Sequence, residues 1–276
     1  MSHSLVDVSK DGAVVTVSFN NPPRGYMNAA QVDEMSAVLD TLERDDATRV
    51  IIFTGAVPNV FIRHYDVSEI VAIGEAIQKS GRSSDYLMDA ARDGNAVSEL
   101  FDRVDQFPKT TIAAINGFAQ GGGFEFALCC DIRIAVVGDY QIGLPETNIG
   151  IFPGAGGTER LPRVIGEAKA LELIMRGRTV GPEEALKIGM VHELVEGSAL
   201  VRSAEIAQEM AAMPAAGILA AKKLVKGTTD RNLKDACSQA RGMFSIIIGS
   251  DDDANMAMRR FLNEGEDINK RHGGRQ

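Results

Sequence analysis

The spacing of apolar residues changes character at about residue 168. Before that point the chain alternates short apolar runs with amphipathic stretches; after it, apolar residues recur at intervals of three and four. Residues 5–20 hold two short alternating runs around Asp11-Gly12, a hairpin signal, and the second, Val14–Phe19, is rich in β-branched residues. Pro22-Pro23 ends it, and Asn28 then predicts the cap of a helix over Ala29–Arg44 with Val32, Met35, Val38, Leu39 and Leu42 on one face. Arg49–Thr54 reads as a continuous apolar strand. A strand, helix and strand so spaced imply a right-handed crossover and parallel pairing. The pattern repeats with a helix over Ser84–Val104 and a strand over Thr111–Ile115, then with a helix over Phe124–Cys130 and a strand over Ile132–Val137. Strands this continuously apolar need cover on both faces, so the first part is α/β. Helices are expected over Ala168–Arg176, Pro182–Lys187, Leu200–Met213, Ala215–Lys226, Leu233–Ile248 and Asp253–Asn263, a tail compatible with self-association.

Composition narrows the function classes. The 276 residues are 45% apolar and 24% charged, ordinary for a water-soluble chain with a sizeable core. A net charge of −9 argues against non-specific binding to nucleic acid or anionic membranes, which reward clustered positive charge. The three cysteines, Cys129, Cys130 and Cys237, form no C-x-x-C pair and read as buried thiols of a reducing compartment. The opening residues, MSHSLVDVSKDG, hold no apolar signal core or arginine-rich pattern, and no apolar run approaches ~18 residues, so a cytoplasmic protein is expected.

The chemistry concentrates in Ile112–Thr158, where two glycine-dense turns each stand beside a glutamate. Gly121, Gly122 and Gly123 would each cost ~1 kcal/mol inside a helix, so they predict a turn that delivers bare N–H groups at a helix start. Such groups stabilise negative charge, including an oxyanion developing on a carbonyl. Glu125 lies in the same first turn; alone, it would be read as no more than a favourable partner for the helix dipole. Glu146, beside Pro145 and ahead of the turn Pro153–Gly157, changes that weighting. Two carboxylates in one apolar pocket should have their proton affinities pushed apart, supplying an acid and a base. Rival motifs are missing: no complete G-x-G-x-x-G follows a strand, and there is no Walker lysine, H-E-x-x-H or G-x-S-x-G. His3, His64, His192 and His272 have no ligand spacing, and His192 reads as structural or exposed. The acidic run Asp251–Asp253 reads as a solvated cap before the last helix.

NGFAQGGGFEFALCCDIRIA, followed by LPETNIGIFPGAGGTERLPRVIG, resembles the signature of the enoyl-CoA hydratase/isomerase family, the crotonases. The likeness continues outward through NNPPRGYMNAAQVDEMSAVLDTLERDDATRVIIFTGA and GRTVGPEEALKIGMVHELV, over roughly residues 5 to 262. It implies a spiral of ββα units over residues 1–195 and a helical region over 196–276 that packs between subunits, as a homotrimer or homohexamer. It implies an oxyanion hole from the N–H groups of Tyr65 and Gly122, and catalytic acids at Glu125 and Glu146. The two-acid pattern resembles that of the hydratases, which add water to a 2-enoyl-CoA; by the same resemblance Glu125 positions the water and Glu146 handles the Cα proton. No metal or redox cofactor is implied, coenzyme A being part of the substrate. Met27, Arg63, His64, Asp66, Gly121 and Gly154 are the candidate contacts to that substrate. Double-bond isomerisation, retro-aldol cleavage and carbon–carbon hydrolysis on the same fold stay open, with a non-catalytic binding protein as a remoter alternative.

The sequence departs from the family at Phe61–Ile70, FIRHYDVSEI, where relatives resemble F-C-A-G-A-D-L. Arg63 and His64 admit three readings: contacts to coenzyme phosphate or adenine, a narrowed pocket, or an exposed loop with incidental charge. Tyr65 still supplies an N–H. Val67–Ala96 is longer than the matching family segment, looks mobile at Gly81–Ser84, and is where acyl selectivity is expected. Phe261–Arg271 lacks the family's basic tail, leaving Lys270 and Arg271 as substitutes.

Overall fold

In the computed structural model, which describes residues 4–265 and 267–269, the strands fall into two sheets. The larger has the spatial order β1 (Val6–Asp11), β2 (Val14–Phe19), β3 (Val50–Gly55), β5 (Thr110–Ile115), β7 (Ile132–Val136), β10 (Glu193–Val195). The smaller has the order β4 (Val60–Ile62), β6 (Phe118–Gln120), β8 (Ile142–Gly143), β9 (Thr179–Val180). β1 and β2 form the antiparallel hairpin expected around Asp11-Gly12, and every other pair in the larger sheet is parallel. Successive strands alternate between sheets: β3 then β4, β5 then β6, β7 then β8. Each pair is one turn of a spiral, because a right-handed crossover returns the chain to the larger sheet one place further on.

The helices are α1 (Ala29–Arg44), α2 (Val67–Ser80), α3 (Ser84–Ala90), α4 (Ala96–Asp105), α5 (Gly122–Cys129), α6 (Gly157–Ile165), α7 (Glu167–Met175), α8 (Pro182–Lys187), α9 (Ala199–Ala211), α10 (Ala215–Lys226), α11 (Leu233–Ser250) and α12 (Asp252–Asn263). Asn28 caps α1 by accepting from the Gln31 N–H, and Asp251 caps α12 through the Ala254 N–H. Every residue of β5 is buried, as its apolar run requires. One face of the larger sheet meets the main core. The other face is covered by α9, whose Ala199 and Ala207 lie among Val14, Val50, Ile52, Ile112, Ala114 and Ile134. A division at residue 195 therefore separates α9 from the sheet it completes.

Two expectations are corrected, the single helix over Ser84–Val104 and the burial of Cys237. The single helix over Ser84–Val104 is two helices, because Gly94 turns at φ 75° and Asn95 starts α4 afresh with a capping box, accepting from the Val97 and Ser98 N–H groups. Only Leu100, Phe101 and Val104 of this stretch are buried, so the apolar spacing belongs to α4 alone. The Val67–Ala96 segment, which carries no predicted element before Ser84, starts as α2, capped by Asp66 and closed by Gly81 in the left-handed region. Cys237 is exposed, whereas Cys129 and Cys130 are buried thiols. His192 is exposed and braces β7: its N–H donates to the Arg133 carbonyl and its Nδ1 accepts from the Arg133 N–H.

α5 matters most for the site, and two features fix it. Phe126 stands among Phe19, Phe53, Phe61 and Phe101, with centroid distances of 5.0, 5.1, 6.4 and 5.6 Å, three of the four contacts edge-on. At its start, Gly123 passes so close to β4 that a Cβ there would sit 2.0 Å from the Ile62 carbonyl oxygen. Gly55 and Gly117 abut the same strand, with a Cβ 1.7 Å from the Val60 oxygen and 1.9 Å from the Asn59 carbonyl carbon respectively.

Candidate active site

The close approach at Gly123 brings two backbone donors together. A Cβ on Gly122 would lie 3.5 Å from the Tyr65 nitrogen and 3.2 Å from the Tyr65 Cβ. The Gly122 N–H opens α5, where no preceding turn can accept it. Among the described residues neither this N–H nor that of Tyr65 donates to another protein group. Gly121 makes the turn possible at φ 51°, ψ −129°, a conformation that disfavours any side chain. Its own N–H is spent on the Gly143 carbonyl, which ties α5 to β8.

Glu125, one turn into α5, is 3% exposed. Its Oε1 accepts from the Ala155 N–H at 2.9 Å and the Gly157 N–H at 2.8 Å. Gly157 is the first residue of α6, so the carboxylate sits on a helix N-terminus. Burial raises its proton affinity; the Gly157 and Ala155 N–H groups and the Arg160 charge pull the other way. Glu146 starts the 3-10 turn Glu146–Ile149, and its Oε1 would lie 3.2 Å from a Cβ on Gly121. Its Oε2 is buried with no hydrogen-bond partner among the described residues. Burial, and after it the charge of Glu125, push Glu146 up to about 7. The two acids thus share a pocket with unequal support, Glu125 held by two N–H groups of the facing turn and Glu146 by its own backbone N–H alone, with Oε2 unpartnered among the described residues.

The remaining candidates have defined places. Arg63 and His64 are half-buried, which displaces the exposed-loop reading. The Arg63 guanidinium lies 4.2 Å from the Phe118 ring centroid, a cation–π contact. The His64 ring stacks on Tyr26 at 4.1 Å, and its Nδ1 is 2.7 Å from the Tyr65 carbonyl oxygen. The Tyr65 hydroxyl donates to Glu69 at 2.6 Å, and burial together with that carboxylate holds the phenol protonated. The same Glu69 oxygen accepts from the Ala29 N–H, so the loop is clamped to the start of α1. Asp66 caps α2, accepting from the Ser68 N–H and hydroxyl, bonds that hold its carboxyl below the usual range. Met27 has a fully buried side chain, so its part is to fix the loop: its N–H donates to the His64 carbonyl and its own carbonyl accepts from Asp66. Gly121 lines the floor between His64 and Glu146, and Gly154 is exposed in the turn before Ala155. Lys270 and Arg271 lie outside the described residues.

Two donors were missed from sequence, the N–H groups of Ala155 and Gly157. The signal was there in the glycines that open α6, but backbone groups carry no residue identity. Among the described residues no three His, Cys, Asp or Glu side chains gather as metal ligands, and no helix is long and apolar enough to cross a membrane.

Comparison with known proteins shows the family and the fold. The family model described as enoyl-CoA hydratase/isomerase matches residues 9–268. A short-chain-enoyl-CoA hydratase of Clostridium acetobutylicum is 35% identical over 266 residues, covering 95% of this chain and 96% of that protein. A Bacillus subtilis (strain 168) protein named "Probable enoyl-CoA hydratase" is 39% identical over 188 residues, 68% of each chain. The crystal structure of enoyl-CoA hydratase from Bacillus anthracis superposes with a TM-score of 0.81 at 29% identity, over 95% of this chain and 97% of that one. With its two glycine turns, its alternating sheets and a likeness that runs nearly end to end, the chain belongs to the enoyl-CoA hydratase/isomerase family.

Proposed function

We propose that the protein adds water reversibly across the Cα=Cβ bond of a 2-enoyl-CoA thioester. The observation that carries this reading is the unequal support of the two acids. Burial raises the proton affinity of Glu125 and the two N–H groups on Oε1 oppose that rise; in its carboxylate form its other oxygen takes a proton from water as that water attacks Cβ. The thioester oxygen gains charge as Cβ is attacked, and the N–H groups of Tyr65 and Gly122 receive it. Glu146, with its proton affinity raised to about 7, keeps a substantial protonated fraction at neutral pH, and that form gives its proton to Cα. Glu125 ends protonated and Glu146 ionised; exchange of one proton with solvent restores the pair. Two carboxylates and two N–H groups supply every proton and charge the reaction needs, so no metal or redox cofactor enters the proposal. Arg63 brings positive charge to the loop that carries the Tyr65 N–H in a chain of net −9, which suits an anionic coenzyme.

The test is the absorbance of the conjugated thioester in crotonyl-CoA mixed with the protein, run beside Glu125→Gln and Glu146→Gln. Loss of absorbance in the wild type, abolished in both variants, is the expected result. Persistence of the conjugated thioester despite measured CoA binding would end the hydratase reading.

The tail supports association of copies of this chain, as a trimer or hexamer. No residue of α10, α11 or α12 is buried in the single chain, and Phe244, Ile246 and Leu262 are 64%, 67% and 62% exposed. Sedimentation at micromolar concentration is expected to give a multiple of the 29.6 kDa chain, and a monomer would remove this part of the proposal.

A further inference from the structure

Arg160 lies beneath the turn that holds Glu125 and is attached on three sides. Its Nη1 donates to the Ala155 carbonyl at 3.0 Å, its Nη2 to Asp102 at 2.6 Å, and its Nε to Asp105 at 3.4 Å. Ala155 is therefore gripped at both ends of its backbone, by Arg160 at the carbonyl and by Glu125 at the N–H. Gly156 leaves the guanidinium its place, since a Cβ there would lie 2.1 Å from Nη1. The brace continues into the helical tail. Lys226, on α10, donates to Asp105 Oδ1 at 2.7 Å, to the Asp105 carbonyl at 2.8 Å and to the Cys129 carbonyl, at the end of α5, at 2.9 Å.

We propose that Arg160 is a positioning residue for this reaction: braced by Asp102 and Asp105, its guanidinium fixes the Pro153–Gly157 turn so that the Ala155 and Gly157 N–H groups hold Glu125 in one orientation. The inference rests on the functional reading above for its effect on turnover, but its effect on Glu125 does not depend on which reaction is run. An arginine suits the task because its planar fork meets a carbonyl and two carboxylates at once, whereas a lysine presents a single point of charge. The Arg160 side chain is 14% exposed, with Asp102 meeting it from the surface side at 64% exposure.

The charged groups around Glu125 are few. Glu146 faces it from the 3-10 turn, and Glu159 and Arg160 from α6. Asp102 and Asp105 on α4 act through Arg160, and Lys226 on α10 acts at the far end of α5. Cys129, on its own helix, is kept as a neutral thiol by burial. Removing Arg160 takes away a positive charge and loosens two hydrogen bonds to the carboxylate, and both changes favour the protonated form.

The experiment follows Arg160→Gln and Arg160→Lys by steady-state kinetics and by carbon-13 NMR titration of the Glu125 carboxyl in protein labelled on glutamate. Arg160→Gln is expected to lower kcat about 10- to 100-fold with KM changed by less than about 2-fold, and to move the Glu125 titration to higher pH. Arg160→Lys, which keeps the charge but loses the fork, should recover only a small part of the kcat loss. The double variant with Glu125→Gln should lose little beyond Glu125→Gln alone, because the two act through one group. An unchanged Glu125 titration in folded Arg160→Gln overturns the proposal, even where activity falls. If Arg160→Gln does not fold, Asp102→Asn replaces it, with a smaller shift in the same direction expected and no shift counting against. If the wild type hydrates no enoyl-CoA, the functional reading fails, while the titration still decides the role of Arg160.

Discussion

Helices α5 and α6 both open on glycine and both aim free N–H groups at the same pocket, yet one start is filled and the other is open. At α6 the Gly157 N–H, with its neighbour from Ala155, already holds the carboxylate of Glu125. At α5 the Gly122 N–H, beside that of Tyr65, meets no acceptor among the described residues. The physics is the same at both, partial positive charge at a helix start. The difference is whether the negative charge is permanent or appears only during reaction. A filled start sets the resting charge of a base, and an open one lowers the energy of a charge that has not yet formed. Glu146 sits on no helix start; burial, and after it the charge of Glu125, raise its proton affinity to about 7.

Replacing the permanent charge should have the largest effect. Glu125→Gln is expected to lower hydration kcat about 10³- to 10⁴-fold with the thermal transition retained. Crowding the filled start comes next. A Cβ on Gly157 would lie 2.9 Å from Glu125 Oε1, from Leu144 and from Pro153. Gly157→Ala should therefore cost about 10²-fold in kcat, since small misplacements of a reacting group are expensive. Equal activity in this variant would show that the α6 start does not set the base.

The third test reads Glu146. Hydration should fall as pH rises through about 7 and Glu146 gives up the proton it must donate, and a hydration rate that keeps rising to pH 9 would contradict its role as the acid. The stability consequence has the opposite sense from that of a salt-bridged carboxylate. Glu146 holds its proton more tightly folded than unfolded, so its contribution is fully present below its ordinary value of 4.5 and is lost as pH rises through about 7. Glu146→Gln should thus be more stable than the wild type at pH 8, by about 1 to 3 kcal/mol, and no different at pH 4, as measured by denaturant unfolding. The smallest effect is expected at the rim: Arg63→Leu removes a cation–π contact of about 0.5 to 1 kcal/mol and should alter KM for the thioester more than kcat.

The glycine turns and both acids were legible in the sequence because each is a residue type in a fixed motif. α1 was legible to the residue, since its cap and its apolar face agree. α2 was not assigned from the sequence: its apolar positions Val67, Ile70, Ile73 and Ile77 do recur at spacings of three and four, but no residue of it is buried in the single chain. The break between α3 and α4 turned on Gly94 and Asn95, where local capping overrode a continuous helical pattern. The partners of Arg63 and His64, the rings of Phe118 and Tyr26, lie far off along the chain and meet only through the spiral.

The three glycines packed against β4 have a consequence for divergence. Gly55, Gly117 and Gly123 leave room only for hydrogen against Asn59–Ile62, so that strand cannot shift without clashing with backbone on several sides. It acts as a rail, and the Tyr65 N–H stands just beyond its end. Side chains on the loop after the rail project away from those contacts, Arg63 to Phe118, His64 to Tyr26 and Tyr65 to Glu69. Such a segment can accumulate substitutions and acquire a new substrate preference while its amide stays registered to Gly122. Selection can rewrite the reading edge of this pocket without disturbing the hydrogen that receives the charge.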